Sequence, residues 1–437
     1  MTTTRRLGHR PGVWGLLLGG LLTLGLACDS GEPGPDPPEP RSLNAALEGE
    51  DGVFEVADAV VTDEYLFVAL AQRTSDRRPG RFTYEDVWML TLDRRTGTWS
   101  AERISLSPEA ERHPTLALTS DGTLHALWAE TLLTSIGTFD RALWHAMRRP
   151  DGTWTPPKAA WQGPPEVGVT LSGADPATLV VDATGQLHAV FSADYDDGGL
   201  PGPQVNVITY RGGTWSAPTL PATRNDAQAT GAALPGTGLV VAYVDRGYGY
   251  ETDGSHTEAV MAIRSGDGGQ TWNEPVVVAA LGEEPGASYD PHLERDESGT
   301  VHLTWRSRGA CSDFPCEVWY AYSLDSGMSW ESNLVHRAGY VQKPQLTSEW
   351  GEPVHLLFAE SSYFGSEEGK LLQHLVQDGN VWETEPALTK GPITNGGVGA
   401  AVDAAGCLHL VWEEAEVDMG EVLSRELHYE RLGPCAD

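Results

Sequence analysis

Basic side chains are scarce in this chain. It carries 29 Lys and Arg against 62 Asp and Glu, a net charge of −33. A surface that acidic repels phosphate backbones, which excludes a nucleic-acid partner as an expectation. Most of the charge reads as a solvated coat that maintains solubility. Long apolar runs are rarer still. The clearest, residues 13–26 (VWGLLLGGLLTLGL), has 14 residues, whereas a helix that crosses a bilayer needs about 20. Cysteine is sparse, with five in 437 residues. Only Cys311 and Cys316 are spaced as C-x₄-C, and no second such pair completes a structural zinc site, so neither a metal nor a cofactor is expected. Tryptophan, by contrast, is abundant, and its 15 copies carry the main signal.

The first residues read as an export signal. Arg5, Arg6 and Arg10 form a basic n-region ahead of the apolar run. The run ends at Ala27-Cys28. This resembles a bacterial lipobox, although Gly25 stands where Leu is usual and Leu24 lies one place earlier. The resemblance implies that residues 1–27 are removed and that Cys28 is lipidated; simple secretion is the alternative. Residues 29–42 (DSGEPGPDPPEPRS) are Pro-rich and acidic, so 28–42 is expected to be an extended, lipid-anchored spacer. The expected location is the cell envelope, facing periplasm or exterior, with the membrane contacted through the lipid alone. If Cys28 is lipidated, four Cys remain and can pair fully. Cys311 with Cys316, and Cys407 with Cys435, is the simplest pairing; others are possible, and zinc is the competing reading. Disulfides require an oxidising compartment, consistent with export.

Six tryptophans close the same short turn: Trp99, Trp154, Trp215, Trp272, Trp330 and Trp382, at gaps of 55, 61, 57, 58 and 52 residues. Such a period means stacked supersecondary units. Residues 113–154 show the unit: strand A and a turn (HPTLALTSDG), strand B (TLHALW), a longer loop, strand C and a turn (ALWHAMRRPDG), and the start of strand D (TWTPP). The runs are short, β-branched or aromatic, and bounded by Gly, Asp and Pro, which is the pattern of strands. Seven A–B hairpins of this kind can be counted. The expected fold is all-β: a single β-propeller over 43–437 of four-stranded antiparallel blades, seven in number, with six as the alternative. The last copy ends after its third strand, so an N-terminal run within 43–56 is expected to supply the missing outer strand. A monomer is expected.

At the C–D turn, Ser265-Gly266-Asp267-Gly268-Gly269-Gln270-Thr271-Trp272 and Ser323-Leu324-Asp325-Ser326-Gly327-Met328-Ser329-Trp330 both match S-x-D-x-G-x-x-W. On these two copies the chain resembles the Asp-box (BNR) repeat propellers of the sialidase superfamily, over about residues 57–432. The motif is structural. Ser265, Asp267, Ser323 and Asp325 can bond their own turn, Gly269 and Gly327 permit positive φ, and Trp272 and Trp330 plug between sheets.

In an antiparallel blade the A–B and C–D turns share one face of the ring, and the B–C and D–A loops share the other. Here the A–B and C–D turns are short, while the B–C loops are long and varied. Variable loops on a rigid frame usually carry function, so a glycan or protein ligand is expected on the B–C face. B strands end in aromatic-x-acid at Trp128/Glu130, Tyr243/Asp245, Phe358/Glu360 and Trp412/Glu414, with Asp194 one place out of register. Residues two apart on a strand share a face, so a rim of carboxylates is expected. The fifth unit breaks the pattern with Arg306 and Arg308. His113, Asp175, Asp290, His292 and Lys343 start A strands at the same rim; Tyr195, Arg246, Tyr248, Tyr289 and Tyr340 lie nearby. The functional reading is a sugar or peptide site. The structural reading is that each acid bonds its own loop. His125, His188, His302, His355 and His409 recur at one B-strand position and are read as packing groups bonded between blades.

Three activities compete. The sialidase resemblance implies three Arg on a substrate carboxylate, a Tyr–Glu nucleophile pair and an Asp acid/base. The chain lacks the Arg-Ile-Pro motif that usually supplies the first Arg; Arg103-Ile104-Ser105 is nearest. Mouth-facing Arg are few, namely Arg112, Arg246, Arg306 and Arg308, and an acidic mouth repels an anionic sugar. A propeller polysaccharide lyase would use His292, Tyr289 and Arg306. A non-catalytic surface module needs only ring, loops and tether, and is the favoured reading because no catalytic set is complete.

Overall fold

The computed structural model describes residues 43–47, 53–74, 84–107, 109–134, 137–163, 168–171, 177–196, 203–219, 221, 226–245, 258–280, 286–309, 316–348, 353–361, 370–378, 381–386, 388–389, 392–418, 421–433 and 435. The expected signal segment, Cys28 and the spacer lie outside them.

Seven antiparallel sheets follow one another along the chain, so the architecture is a seven-bladed β-propeller. The blades span 53–103, 110–162, 168–215, 226–280, 286–338, 340–384 and 393–432. Blades 1, 2, 4, 5 and 6 have four strands paired in chain order. In blade 3 the A strand is split: Gly168–Leu171 and Ala177–Val181 both pair with strand B. Blade 7 has three strands among the described residues.

The expected outer strand for blade 7 is not what 43–46 forms. Leu43–Ala46 is one turn of helix, in keeping with its Leu and Ala content. It packs on the C strand of blade 7 and the D strand of blade 1. Leu43 and Leu47 are buried there with Trp99, Leu427 and Tyr429. A hydrophobic plug therefore fills this seam. The Cys407–Cys435 disulfide ties the chain beyond blade 7 to that blade's A–B turn. Cys316 is also disulfide-bonded; Cys311, its expected partner, lies outside the described residues.

The recurring tryptophans sit between blades. Trp154 packs into the cluster shared by blades 1 and 2, Trp215 into that of blades 2 and 3, Trp272 into that of 3 and 4, and Trp330 into that of 4 and 5. Trp382 and Trp99 do the same for blades 5 and 6 and for blades 7 and 1. Each Trp thus fastens its own blade to the preceding one, which is why the period survives where the loops diverge. Burying such a ring contributes about 2–3 kcal/mol.

The two faces are as the antiparallel pairing requires. In blade 4 the A–B and C–D turns touch, with Gly268 N–H donating to Thr237 O at 2.9 Å. Ala183 N–H of the blade 3 A–B turn donates to Gly236 O of the next, at 3.2 Å. The Ser-x-Asp turns are self-contained. Ser265 Oγ accepts Gly269 N–H at 2.8 Å, and Asp267 accepts Gln270 N–H and Thr271 N–H at 3.0 and 2.8 Å. Ser323 and Asp325 repeat these bonds.

Candidate functional site

The seven A strands surround a cavity of about 630 Å³ on the ring axis. Its walls are small side chains such as Ala59, Thr115, Thr178, Thr230 and Ala400. Towards the B–C face the A strands bulge. Register slips occur at Val56/Asp58, Arg112/Thr115, Ala227/Ala229, Tyr289/His292, Gln342/Gln345 and Ile393/Val398. A bulge re-aims a side chain. At four bulges a non-glycine residue takes positive φ: His113, Gln228 and Asp290 at 53° and Lys343 at 45°. Three of them precede proline (Pro114, Pro291, Pro344). Such conformations cost on the order of 1–3 kcal/mol each and persist only where surrounding contacts enforce them.

Those contacts include ion pairs and hydrogen bonds, several of which cross between blades. Lys343 Nζ lies 2.6 Å from Glu55 Oε1, joining blade 6 to blade 1. In intervening blade 7 the bulge holds Gly397, where a Cβ would stand 2.1 Å from Val56 O. Only glycine lets those backbones approach so closely. Burial opposes the charge on Glu55, but Lys343 and His113 overcome it and bring its pKa down to about 2. Asp290 N–H of blade 5 donates to Gln228 Oε1 of blade 4 at 2.7 Å. Its carboxylate holds Arg306 Nε at 2.6 Å. The Arg306 guanidinium also lies 5.0 Å from the Tyr289 ring and 5.7 Å from the Tyr340 ring, within the range of cation–π attraction. His292 Nδ1 accepts Leu346 N–H of blade 6 at 3.2 Å, so its ring proton sits on Nε2. Glu111, buried at the start of the blade 2 A strand, accepts Trp128 Nε1–H at 2.7 Å, and burial raises its pKa.

Of the candidates read from the sequence, Asp290, His292 and Lys343 line the cavity, with His113. Arg306 stands behind Asp290. Glu130, Glu360 and Glu414 are not among the residues lining the cavity, since their strand lies one place outward from the axis. Glu130 is buried and bonds Arg141 and Ser107 at 3.1 and 3.0 Å. Glu360 meets His336 of blade 5 at 3.0 Å. Glu414 accepts Trp412 Nε1–H at 3.4 Å, and Asp245 ends strand B opposite Ala259. Asp194, Tyr195 and Arg308 are placed only by their backbones, at the ends of B strands. Asp175, Arg246 and Tyr248 fall outside the described residues.

The repeated B-strand histidines are packing groups, but they bond within blades and not between them. His188, His302 and His409 each meet an Asp six residues earlier (Asp182, Asp296, Asp403) at 3.3, 3.2 and 3.2 Å. Those Asp also accept N–H groups of their own A–B turns. His125 and His355 instead pair with His145 and His374 on strand C, at 3.0 and 2.9 Å. Reading the sequence missed Glu55, Glu111 and Gln228. Glu55 precedes the first recognisable repeat. Gln228 lacks the Pro that follows the other three residues of positive φ, and that Pro was the usable signal.

No protein-family model matches the chain, and no curated protein sequence does. Among solved structures, it is similar to an ulvan lyase of polysaccharide lyase family PL25, with 13% identity, a TM-score of 0.56, and 86% of this chain and 93% of that one covered. It is also similar to the polysaccharide lyase Uly1, with 11% identity, a TM-score of 0.54, and 87% and 92% covered. NanB sialidase from Streptococcus pneumoniae aligns at 10% identity and a TM-score of 0.48, covering 88% and 92%. At these identities the likeness is one of fold.

Proposed function

We propose that this propeller is carbohydrate-active and binds a glycan on its B–C face, at the mouth of the axial cavity. The supporting observation is the blade 5–6 edge of that mouth. There Arg306 is held by Asp290 beside the Tyr289 and Tyr340 rings, next to His292 and Lys343 on the cavity wall. Aromatic faces stack on sugar rings, and fixed polar groups orient hydroxyls. That two polysaccharide lyases share the ring adds to the reading.

We read the module as non-catalytic. Elimination from a uronate needs a base with a free lone pair. His292 spends Nδ1 on Leu346 N–H and carries its proton on Nε2, so it does not fill that role in this arrangement. Arg306 is committed to Asp290, which weakens it as a free carboxylate clamp of the sialidase kind. The same reading keeps the ring at the cell envelope, anchored through Cys28, with the B–C face open to ligand.

The test is a panel of neutral and uronate polysaccharides, assayed for binding and for ultraviolet absorbance of unsaturated products. The expected result is saturable binding that Arg306→Ala weakens at least about tenfold, or about 1.4 kcal/mol, without product. Turnover of a polymer or a sialoside by the wild-type chain would refute the non-catalytic reading. Binding unchanged by Arg306→Ala and Tyr340→Ala together would move the site elsewhere.

A further inference from the structure

The A–B turn of blade 7 differs chemically from its counterparts. In blades 3, 5 and 7 an Asp accepts the N–H of the residue four places on and meets a His six places on. The residue four places on is Gln186 in blade 3 and Thr300 in blade 5. In blade 7 it is Cys407, bonded to Cys435. The shared frame therefore gains two sulfurs in one copy only. A carboxylate oxygen of Asp403, Sγ of Cys407 and a ring nitrogen of His409 all lie within 4.8 Å of one another. Donors around one tetrahedral Zn²⁺ sit about 3.3–3.8 Å apart, given Zn–N and Zn–S bonds of about 2.0 and 2.3 Å.

We propose that this staple has two chemical forms: a disulfide when oxidised, and a soft divalent metal site, Zn²⁺ by preference, when reduced. Its ligands are Cys407, Cys435, His409 and Asp403. The surroundings suit a metal. The Nδ1 of His409 lies 2.8 Å from Tyr429 Oη. That hydroxyl can accept a proton on Nδ1, which leaves Nε2, the nitrogen facing Asp403, free to ligate. Such outer hydrogen bonds orient metal-binding histidines. Two thiolates and one carboxylate around Zn²⁺ leave one net negative charge, and Arg94 already bonds Asp403. Cys407, His409 and Asp403 are buried, while Cys435 is only half-buried, which gives a reductant a way in.

The chemistry balances with a phosphine reductant. The phosphine takes oxygen from water and becomes its oxide. Its electron pair breaks the S–S bond, and the two protons of that water complete the two thiols. The metal then displaces both thiol protons to solvent.

The experiment uses the full chain under argon, before and after phosphine treatment, titrated with Co²⁺ and then Zn²⁺. After reduction we expect one Co²⁺ per chain, with thiolate-to-cobalt absorbance in the near ultraviolet and the visible bands of a tetrahedral site. The untreated chain should give neither. Cys435→Ser should remove at least half of the charge-transfer intensity, and Cys316→Ser should leave it intact. Zn²⁺ should raise the melting midpoint of the reduced chain and not of the oxidised one. A reduced chain that binds no Co²⁺, whether or not blade 7 stays folded, overturns the proposal. So does a signal that is undiminished in Cys435→Ser or vanishes in Cys316→Ser.

Discussion

The two faces of the ring solve the same problem in opposite ways. On the face of the A–B and C–D turns, many polar groups are satisfied close by in the chain. Asp182 takes the N–H groups of its own turn at 2.9 Å and meets His188, and Asp267 takes those of Gln270 and Thr271. On the B–C face, several partners come from other blades: Glu55 with Lys343, Gln228 with Asp290, His292 with Leu346. Local satisfaction repeats with the sequence, so it appears in blade after blade. Remote satisfaction needs a particular pair, so each blade contributes something different. Stability is thus written into one face and individuality into the other.

Acid should separate the faces most strongly. His125, His145, His355 and His374 lie near the turn face, and burial lowers their pKa values to about 4, 3, 4 and 4. Their ordinary value is 6.5, so between pH 6.5 and about 4 the unfolded chain binds more protons than the folded one. Stability from this source is complete above pH 6.5 and falls as pH falls, by at most about 1.4 kcal/mol per pH unit for each histidine. Glu55, at the mouth, has its pKa lowered from 4.5 to about 2, so its contribution is lost in the separate window from pH 4.5 down to 2. Urea unfolding across pH should show the first limb flattened by His125→Asn with His145→Asn, and the second by Glu55→Gln. If Glu55→Gln flattens the upper limb, the assignment is wrong.

Asp182→Ala should cost about 3–5 kcal/mol, because it strands a buried histidine and turn N–H groups. Chemical denaturation measures this, and glycan binding by the folded fraction should be unchanged. Arg306→Lys keeps the charge but loses the planar group that sits beside two rings. We expect binding to fall about tenfold with stability altered by less than about 1 kcal/mol. A fall in stability larger than the fall in affinity would make Arg306 a framework residue. The smallest effect belongs to Ser326, which has φ of 60° where the sister turn has Gly268 at 72°. Ser326→Gly should stabilise the chain by up to about 1 kcal/mol, read as a raised melting midpoint.

The sequence disclosed the turn face far better than the mouth, and the contrast explains why. Ser265, Asp267 and Trp272 act within one turn and against one neighbouring blade, so their spacing is their structure. For the B-strand acids, alternation says which side of a strand a residue occupies, not how far that strand lies from the axis. Glu130 and Glu360 therefore ended in private pairs with Arg141 and His336. Glu55 and Lys343 are 288 positions apart, and nothing local to either residue announces the other. A run within 43–56 is expected to close the ring as an outer strand, whereas Leu43–Ala46 is helical and packs its apolar side chains into that seam.

The Glu55–Lys343 pair has a topological consequence. It links the first and sixth blades directly and skips the seventh, which has three strands among the described residues. Fraying of the terminal blade would then leave a chord across the gap, so the remaining six could keep their curvature while it re-forms. The circle has a detour around its weakest arc.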